Sequence, residues 1–280
     1  MKKFAVIGQP IKHSLSPKIH YEFAKETGID ISYEAIEINP KDFKQKTVQL
    51  FENGYTGLNV TLPLKELAYN LADEVSQKGR ESRAVNTLWY DKEKILADST
   101  DGVGLLEDLS ANQIVLKDKE IGILGAGGAV RSILPAIISR NPKKIVILNR
   151  TLEKASGLAD EFQDKRVTIE ALAADKIPED RLDGVINATS AGPTGGKFIF
   201  HPSIFKGCSW TYDLSYSKET TYFNQLAKNS GIRECLDGLG MLAYQAAASF
   251  QIWHGIKPKT KPVLNLIKAS LKKKLDSPLQ

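Results

Sequence analysis

Few residues in this chain could hold a metal or a redox couple. Among 280 residues there are two cysteines and four histidines. Cys208 and Cys235 lie in no Cys-x-x-Cys pair, and His13, His20, His201 and His254 are too scattered for two to share one helical face. No metal site and no disulfide chemistry are expected. No apolar run approaches the roughly 20 residues that span a bilayer. The apolar stretch at residues 4–8 imitates a signal peptide but runs at once into Gln9-Pro10 and reads as a first strand. Low-complexity tracts and internal repeats are missing too. With 42% hydrophobic and 25% charged residues, the composition is that of a soluble globular protein, expected to be cytoplasmic. The net charge of +5 is modest and owes much to Lys257, Lys259, Lys261, Lys268 and Lys272 to Lys274 near the end. It does not call for nucleic acid, but it suits small anions.

What is present begins with glycine. Ile121-Gly122-Ile123-Leu124-Gly125-Ala126-Gly127-Gly128-Ala129 is an apolar run that breaks into a glycine turn. A helix-like stretch at residues 130–139 and an apolar run at 144–148 follow, completing a β-α-β unit. Such a turn lets backbone N–H groups approach a pyrophosphate at the positive end of the helix. Val130 stands where the third glycine of a dinucleotide fingerprint would be, so the loop alone is a weak signal. Its partner is Asn149-Arg150-Thr151 after the second strand. An acid there binds the ribose hydroxyl of NAD, whereas an arginine suits a 2′-phosphate, so NADP is favoured. Taken alone, Arg150 also fits a solvated charge at a strand end.

Strand-like and helix-like segments alternate before this unit. Strands are expected at residues 4–7, 31–38 and 57–60, with helices at 17–26, 41–52 and 63–71. A hairpin is expected over 86–97 and a connecting helix over 104–108. Further parallel strands are expected at 167–169, 184–187 and 210–214. The stretch 241–253 is apolar on nearly every side and must be buried. With a helix over 262–275 it is expected to return to the first domain. The fold class is therefore two α/β domains: an N-terminal substrate domain, residues 1–103 plus 238–280, and a Rossmann-like NADP domain, residues 104–237, with a deep cleft between them.

Hydride transfer would need a proton donor beside the reacting oxygen. Lys65 lies where the 57–60 strand turns into a helix, with Pro63 suited to the first helical turn. A lysine there is disfavoured by the helix dipole, which hints at function, although a lone lysine is more often a solvated one. Asp101 could hold its ammonium, but Asp98 is equally close in sequence, and Asp101 also fits a helix start. Ser16 before Pro17 reads as an N-cap, and with Ser14 it could also receive a carboxylate. Gln245 interrupts the apolar helix, where a buried amide needs partners.

The combination resembles the shikimate dehydrogenase family along essentially the whole chain. The segments that carry it are Gly8-Gln9-Pro10-Ile11 with His13-Ser14-Leu15-Ser16-Pro17, Asn59-Val60-Thr61 with Pro63 and Lys65, Ala84-Val85-Asn86-Thr87, and Thr100-Asp101-Gly102. Gly125 to Ala129, Asn149-Arg150-Thr151, Asn187-Ala188-Thr189-Ser190 and Asp237-Gly238-Leu239-Gly240-Met241 with Gln245 complete it. The resemblance implies NADPH-dependent reduction of 3-dehydroshikimate to shikimate. It implies Lys65 as acid/base with Asp101 as its partner, and Ser14, Ser16, Asn59, Thr61, Asn86, Tyr216 and Gln245 around the substrate. Gly125, Ala126, Gly127, Gly128 and Ala129 would hold the pyrophosphate. Asn149, Arg150, Thr151 and Lys154 would surround the 2′-phosphate, and Thr189, Leu214, Gly238 and Met241 would line the nicotinamide. Ser99, Lys154 and Lys218 depart from the usual pattern, and a lysine at 154 makes NADP preference less strict than an arginine would. A quinate/shikimate dehydrogenase with broader substrate or NAD use, and a non-catalytic NADP-sensing protein, are the competing readings. Monomer and homodimer both remain open.

Overall fold

The computed structural model describes residues 1–189 and 199–273, with side chains through Leu271. Ser190, Leu275 and the side chains of the Lys272 to Lys274 cluster lie outside the described residues. The chain forms two compact units, Met1–Asp108 with Gly240–Gln280, and Leu109–Leu239. Among the described residues no helix is long and apolar enough to cross a membrane, and no group of three or more His, Cys, Asp or Glu could hold a metal ion.

In the first unit β1 (Lys2–Gly8) leads through α1 (Ser16–Thr27) to β2 (Ile31–Glu37), and α2 (Phe43–Glu52) leads to β3 (Tyr55–Val60). Next come α3 (Lys65–Leu71), β4 (Glu74–Val75), α4 (Gln77–Ser82), β5 (Thr87–Asp91), β6 (Lys94–Asp98) and α5 (Asp101–Ala111). The sheet order is β2-β1-β3-β5-β6-β4. β1 pairs in parallel with β2 and β3, whereas β5 runs antiparallel to both β3 and β6. The β5–β6 hairpin turns at Lys92 and Glu93, both with positive φ.

Among the described residues the sheet of the second unit is wholly parallel. It comprises β7 (Glu120–Leu124), α6 (Gly128–Ile138), β8 (Lys144–Asn149), α7 (Leu152–Glu161), β9 (Thr168–Ala173), β10 (Gly184–Asn187), β11 (Trp210–Asp213), α8 (Tyr222–Asn229) and β12 (Glu234–Asp237). Its order, β12-β11-β10-β7-β8-β9, reverses direction between β7 and β10. Every residue of β7 and β10 is buried, as expected of parallel strands covered on both faces. Cys208 belongs to this core's margin; its thiol donates to the Ile204 carbonyl, and burial pushes its pKa up to about 12.

The last helices, α9 (Leu239–His254) and α10 (Thr260–Lys273), follow. α9 lies on the first sheet, where the Trp253 ring covers Gly57 so closely that a Cβ there would stand 2.6 Å from the indole. Trp253 Nε1 donates to the Leu88 carbonyl at 3.2 Å, and its ring stacks on Phe4. α9 is apolar all round because its other flank meets α5. A Cβ on Gly104 would come within 2.6 Å of the Met241 carbonyl.

Several short elements, β4, α4, α7, α8 and β12, have no counterpart in the sequence reading. α4 is polar on most sides and buries only Gly79 and Ser82, so it has no apolar period to read. β4 and β12 are too short to show an alternation. The 3-10 turn Pro40–Asp42 occupies the start expected for α2, and α5 begins three residues before the expected helix, at Asp101.

A ring cluster fills the space beneath α1. His20, only 1% exposed, stacks on Tyr33 with centroids 4.2 Å apart and also meets Phe23, Phe250 and Trp253. Neither of its ring nitrogens has a hydrogen-bond partner. Burial, aided by the nearby His254, lowers its pKa from 6.5 to about 3. Between those values the unfolded chain takes up a proton that the native imidazole refuses, so stability is lost as pH falls below about 6.5. His254 acts in the same sense, its pKa held near 4 by burial. His20→Phe keeps a ring on Tyr33 and removes the larger of the two contributions. Denaturant unfolding at pH 7 and pH 4.5 should show the parent losing more stability than the variant, by roughly 1.4 kcal/mol per pH unit. Equal losses would assign the acid sensitivity elsewhere.

Candidate functional site

The end of β3 builds the polar cluster of the first unit. Thr61 N donates to the Ile7 carbonyl at 2.9 Å and Gln9 N to the Leu62 carbonyl at 3.0 Å, so the exits of β1 and β3 are tied together. Gly8 permits this, because a Cβ there would stand 2.4 Å from Thr61 Cγ2. Pro63 does not begin the helix as expected. It follows a cis peptide inside a turn closed by Leu64 N to the Thr61 carbonyl at 2.9 Å, and the helix starts only at Lys65.

Lys65 Nζ lies 2.6 Å from Asp101 Oδ2, with the two side chains 15% and 7% exposed. Of the two neighbouring acids Asp101 is therefore the partner. Asp98 is engaged elsewhere, accepting from the Ser76 hydroxyl and from Ser99 N. Asp101 opens α5, where the helix dipole favours an anion. Lys65 sits at the start of α3, where the dipole disfavours a cation, so its carboxylate partner offsets an unfavourable place. Asp101 Oδ1 also accepts from Asn86 Nδ2 at 3.1 Å.

Asn86 is the hub of this cluster. Its amide nitrogen reaches Thr100 Oγ1 at 2.8 Å and Gln245 Oε1 at 2.9 Å, while its oxygen accepts from Thr100 N at 2.7 Å. Gln245 Nε2 in turn donates to the Leu242 carbonyl at 2.9 Å. The buried amide expected at position 245 thus finds its partners in Asn86 and in its own helix. Asn59 is committed to the interior: Oδ1 accepts from the Tyr33 hydroxyl at 2.7 Å, and Nδ2 donates to the Asn86 carbonyl at 3.1 Å and to Ser249 Oγ at 3.0 Å.

At the start of α1 the expected cap is corrected. Leu15 in helical conformation precedes the helix without a side-chain cap, Ser16 is its first residue, and the Ser14 hydroxyl accepts from Ser16 N at 3.2 Å. Pro17 displaces the cap role, since its fixed φ already belongs to the helix and its missing N–H removes a donor. Ser14 is half-buried and Ser16 buried.

The second unit carries the glycine turn. Gly125 closes β7 with φ of +106°, and a Cβ there would stand 3.2 Å from the Ala188 carbonyl that ends β10. The turn therefore lies where the strand order reverses, the usual binding crevice of such sheets. Gly127 has open space where a Cβ would be, and α6 begins at Gly128, so its first N–H groups have no partner within the helix. Ala126 and Ala129 are half-buried beside them. At the end of β8, Asn149 Nδ2 donates to the Thr151 carbonyl at 2.8 Å. Arg150 and Lys154 are exposed, and among the described residues neither side chain has an ion-pair partner. Unpaired cations beside free N–H groups fit a phosphorylated dinucleotide.

Thr189, Leu214 and Gly238 follow adjacent strands of the same sheet. Asn187 and Asp213, to which the sequence reading gave no role, hold these exits. Asn187 Oδ1 accepts from the Thr189 hydroxyl at 2.7 Å, and its nitrogen donates to Asp213 Oδ1 at 3.0 Å. Burial raises the pKa of Asp213. Gly238 abuts the Leu214 carbonyl, where a Cβ would stand 2.0 Å away. Tyr216 follows in the same unit, half-buried. Met241 belongs to the first unit, on α9 against Gly104.

Comparison with known proteins gives matches over most of the chain. Residues 6–88 match the family described as the shikimate dehydrogenase substrate binding domain, residues 108–195 that of shikimate / quinate 5-dehydrogenase, and residues 238–268 that of the shikimate 5'-dehydrogenase C-terminal domain. A shikimate dehydrogenase (NADP(+)) of Legionella pneumophila is 43% identical over 96% of this chain and 99% of its own. Its counterpart in Colwellia psychrerythraea is 39% identical over 96% and 98%. The crystal structure of shikimate 5-dehydrogenase from Thermus thermophilus in complex with NADP(H) and shikimate superposes with a TM-score of 0.84, at 31% identity over 96% of this chain and 100% of that one.

Gly104 sets how near α5, which starts with Asp101, lies to α9, which carries Gln245. In Gly104→Ala the new methyl would meet the Met241 carbonyl at 2.6 Å and Gln245 N at 2.8 Å, so backbone must move. Thermal unfolding should show destabilisation by about 1–3 kcal/mol. An unchanged Tm would show that the helices can separate freely.

Proposed function

Because the chain belongs to the shikimate dehydrogenase family, we propose that it is an NADP-dependent shikimate dehydrogenase. It reduces 3-dehydroshikimate to shikimate reversibly, with NADPH, on the way to chorismate and the aromatic amino acids. The observation that carries this reading is the Lys65–Asp101 pair at 2.6 Å, set beside the Asn86 and Gln245 amides. NADPH, when bound, supplies the hydride.

The protein's part is the proton. Lys65 gives its ammonium proton to the carbonyl oxygen as charge develops there and takes it back in the reverse direction. Asp101 holds the ammonium in place, its Oδ2 2.6 Å from Nζ. Ser14 and Ser16 receive the substrate carboxylate, and Thr61, Asn86, Tyr216 and Gln245 receive the ring hydroxyls. Asn59 supports them from the interior.

Residues 1–103 plus 238–280 form the substrate-binding and catalytic domain, and residues 104–237 the NADP domain. There Gly125, Ala126, Gly127, Gly128 and Ala129 hold the pyrophosphate. Asn149, Arg150, Thr151 and Lys154 hold the 2′-phosphate, and Thr189, Leu214 and Gly238 with Met241 border the nicotinamide. The protein works in the cytoplasm as a monomer or homodimer, on small molecules alone.

The direct test is NADP reduction with shikimate as substrate, followed by absorbance, with quinate and NAD as the comparison pair. No turnover of shikimate would overturn the reading, and a higher kcat/KM with NAD would overturn the cofactor preference. Lys65→Ala should lower kcat roughly a hundredfold or more with a much smaller change in shikimate affinity. A parental kcat would reject Lys65 as the proton donor. Arg150→Ala should raise KM for NADP roughly tenfold and leave KM for NAD nearly unchanged, since one charge-assisted contact is lost only with the phosphate. Equal effects on both cofactors would remove the phosphate role.

A further inference from the structure

Ser249 touches neither Lys65 nor solvent, yet it meets Asn59, Thr87, Thr100 and Gln245, all four of which contact Asn86. It is fully buried one turn beyond Gln245 on α9. Its hydroxyl oxygen lies 3.0 Å from Asn59 Nδ2, 2.7 Å from Thr87 Oγ1, 3.2 Å from Thr100 Oγ1 and 3.1 Å from the Gln245 carbonyl. A hydroxyl has one proton and two acceptor sites, so these four neighbours more than saturate it.

The direction of the bonds is set from one end. The Tyr33 hydroxyl donates to Asn59 Oδ1, which turns the Asn59 amide nitrogen toward Ser249 and makes the serine an acceptor there. With the serine proton on the Gln245 carbonyl, the remaining acceptor site takes the Thr87 hydroxyl. The Thr87 proton then goes to Ser249 rather than to its more distant neighbours, Asn86 Oδ1 at 3.2 Å and Thr100 Oγ1 at 3.4 Å. The two acceptor sites of Asn86 Oδ1 stay with Thr100, whose N lies at 2.7 Å and Oγ1 at 3.1 Å, and the Asn86 amide nitrogen faces Thr100 Oγ1, Asp101 Oδ1 and Gln245 Oε1. We infer that Ser249 is a positioning residue for the substrate side of the reaction, fixing through Thr87 and Thr100 the rotation of Asn86 and hence the placement of Asp101 and Gln245.

Without the hydroxyl, Asn59 Nδ2 keeps the Asn86 carbonyl, but Thr87 loses its nearest partner and turns to Asn86 Oδ1. The amide that holds both Asp101 and Gln245 is then pulled from its place. The inference rests on the proposed shikimate dehydrogenase activity, and the test separates the two.

Ser249→Ala, Ser249→Thr and Thr87→Val are compared with the parent by steady-state kinetics and by calorimetric titration with shikimate in the absence of cofactor. Ser249→Ala should weaken shikimate binding and lower kcat, each roughly tenfold, with KM for NADP unchanged. Ser249→Thr, which keeps the hydroxyl, should recover most of both. The Ser249→Ala and Thr87→Val effects should combine to less than their product, since both act on Asn86. A Ser249→Ala protein that does not fold is replaced by Ser249→Cys, close in size and a poor hydrogen-bonder, with the same pattern expected. A folded variant with parental shikimate affinity and kcat overturns the inference, as does a loss of kcat explained by a smaller active fraction with shikimate affinity intact. A parent enzyme that neither binds nor oxidises shikimate overturns the functional reading and the inference with it.

Discussion

A carboxylate taken out of water must be met by a cation and by N–H donors, and the first unit is arranged around meeting that demand at Asp101. Lys65 answers on one oxygen and Asn86 on the other. Each answer creates a further demand. Asn86 can serve only if its amide is held, which brings in Thr100 and Gln245, and Gln245 can be near only if α9 lies tight on α5. The glycines at 104 and 57, and the Trp253 indole over the sheet, are therefore consequences of the same pair. Without side-chain-free contacts at these places the amides could not reach each other at hydrogen-bond distance.

The second unit solves a different problem with less chemistry. It needs open backbone N–H groups and unneutralised positive charge, and it obtains both at strand ends. The φ of Gly125 turns the chain sharply beside β10, and the open space at Gly127 keeps the helix start uncovered. At the next strand Arg150 and Lys154 have no ion-pair partner among the described residues. Where the unit does spend buried polar groups, at Asn187 and Asp213, they bind the strand exits to one another.

Long apolar periods made most of the architecture readable. The strands at 121–124, 144–148 and 184–187 are continuous buried runs, and the glycine turn between strand and helix gave the second unit its kind. Lys65 and Asp101 could be named as candidates because a charged residue at a helix start is informative, but Asp98 stood equally close. The choice depends on Ser76, which takes Asp98 away through a fold that brings β6 beside the start of α4. Ser249 was invisible for a related reason. In an apolar helix a lone serine is an ordinary residue, and its partners outside that helix lie 190, 162 and 149 positions away in the chain. Ser16 and Pro63 misled because cap and first-turn preferences describe an isolated helix, whereas here a preceding turn set where each helix could begin.

The polar seam of the first unit is closed by residues from the chain's last stretch. Asn86 awaits Gln245, Asn59 awaits Ser249, and Gly57 awaits Trp253, while the intervening residues Leu109–Leu239 form a unit of unbroken sequence. On the ribosome, where segments fold in the order they emerge, the middle of the protein can reach its final form first. The earlier-made half must keep its buried amides and its Asp101 carboxylate hydrated until α9 arrives. The contacts of Asn86 with Gln245 and of Asn59 with Ser249 are thus the last part of the molecule to be assembled, so a nascent chain halted before α9 would contain the parallel sheet complete and the polar seam of the first unit still open.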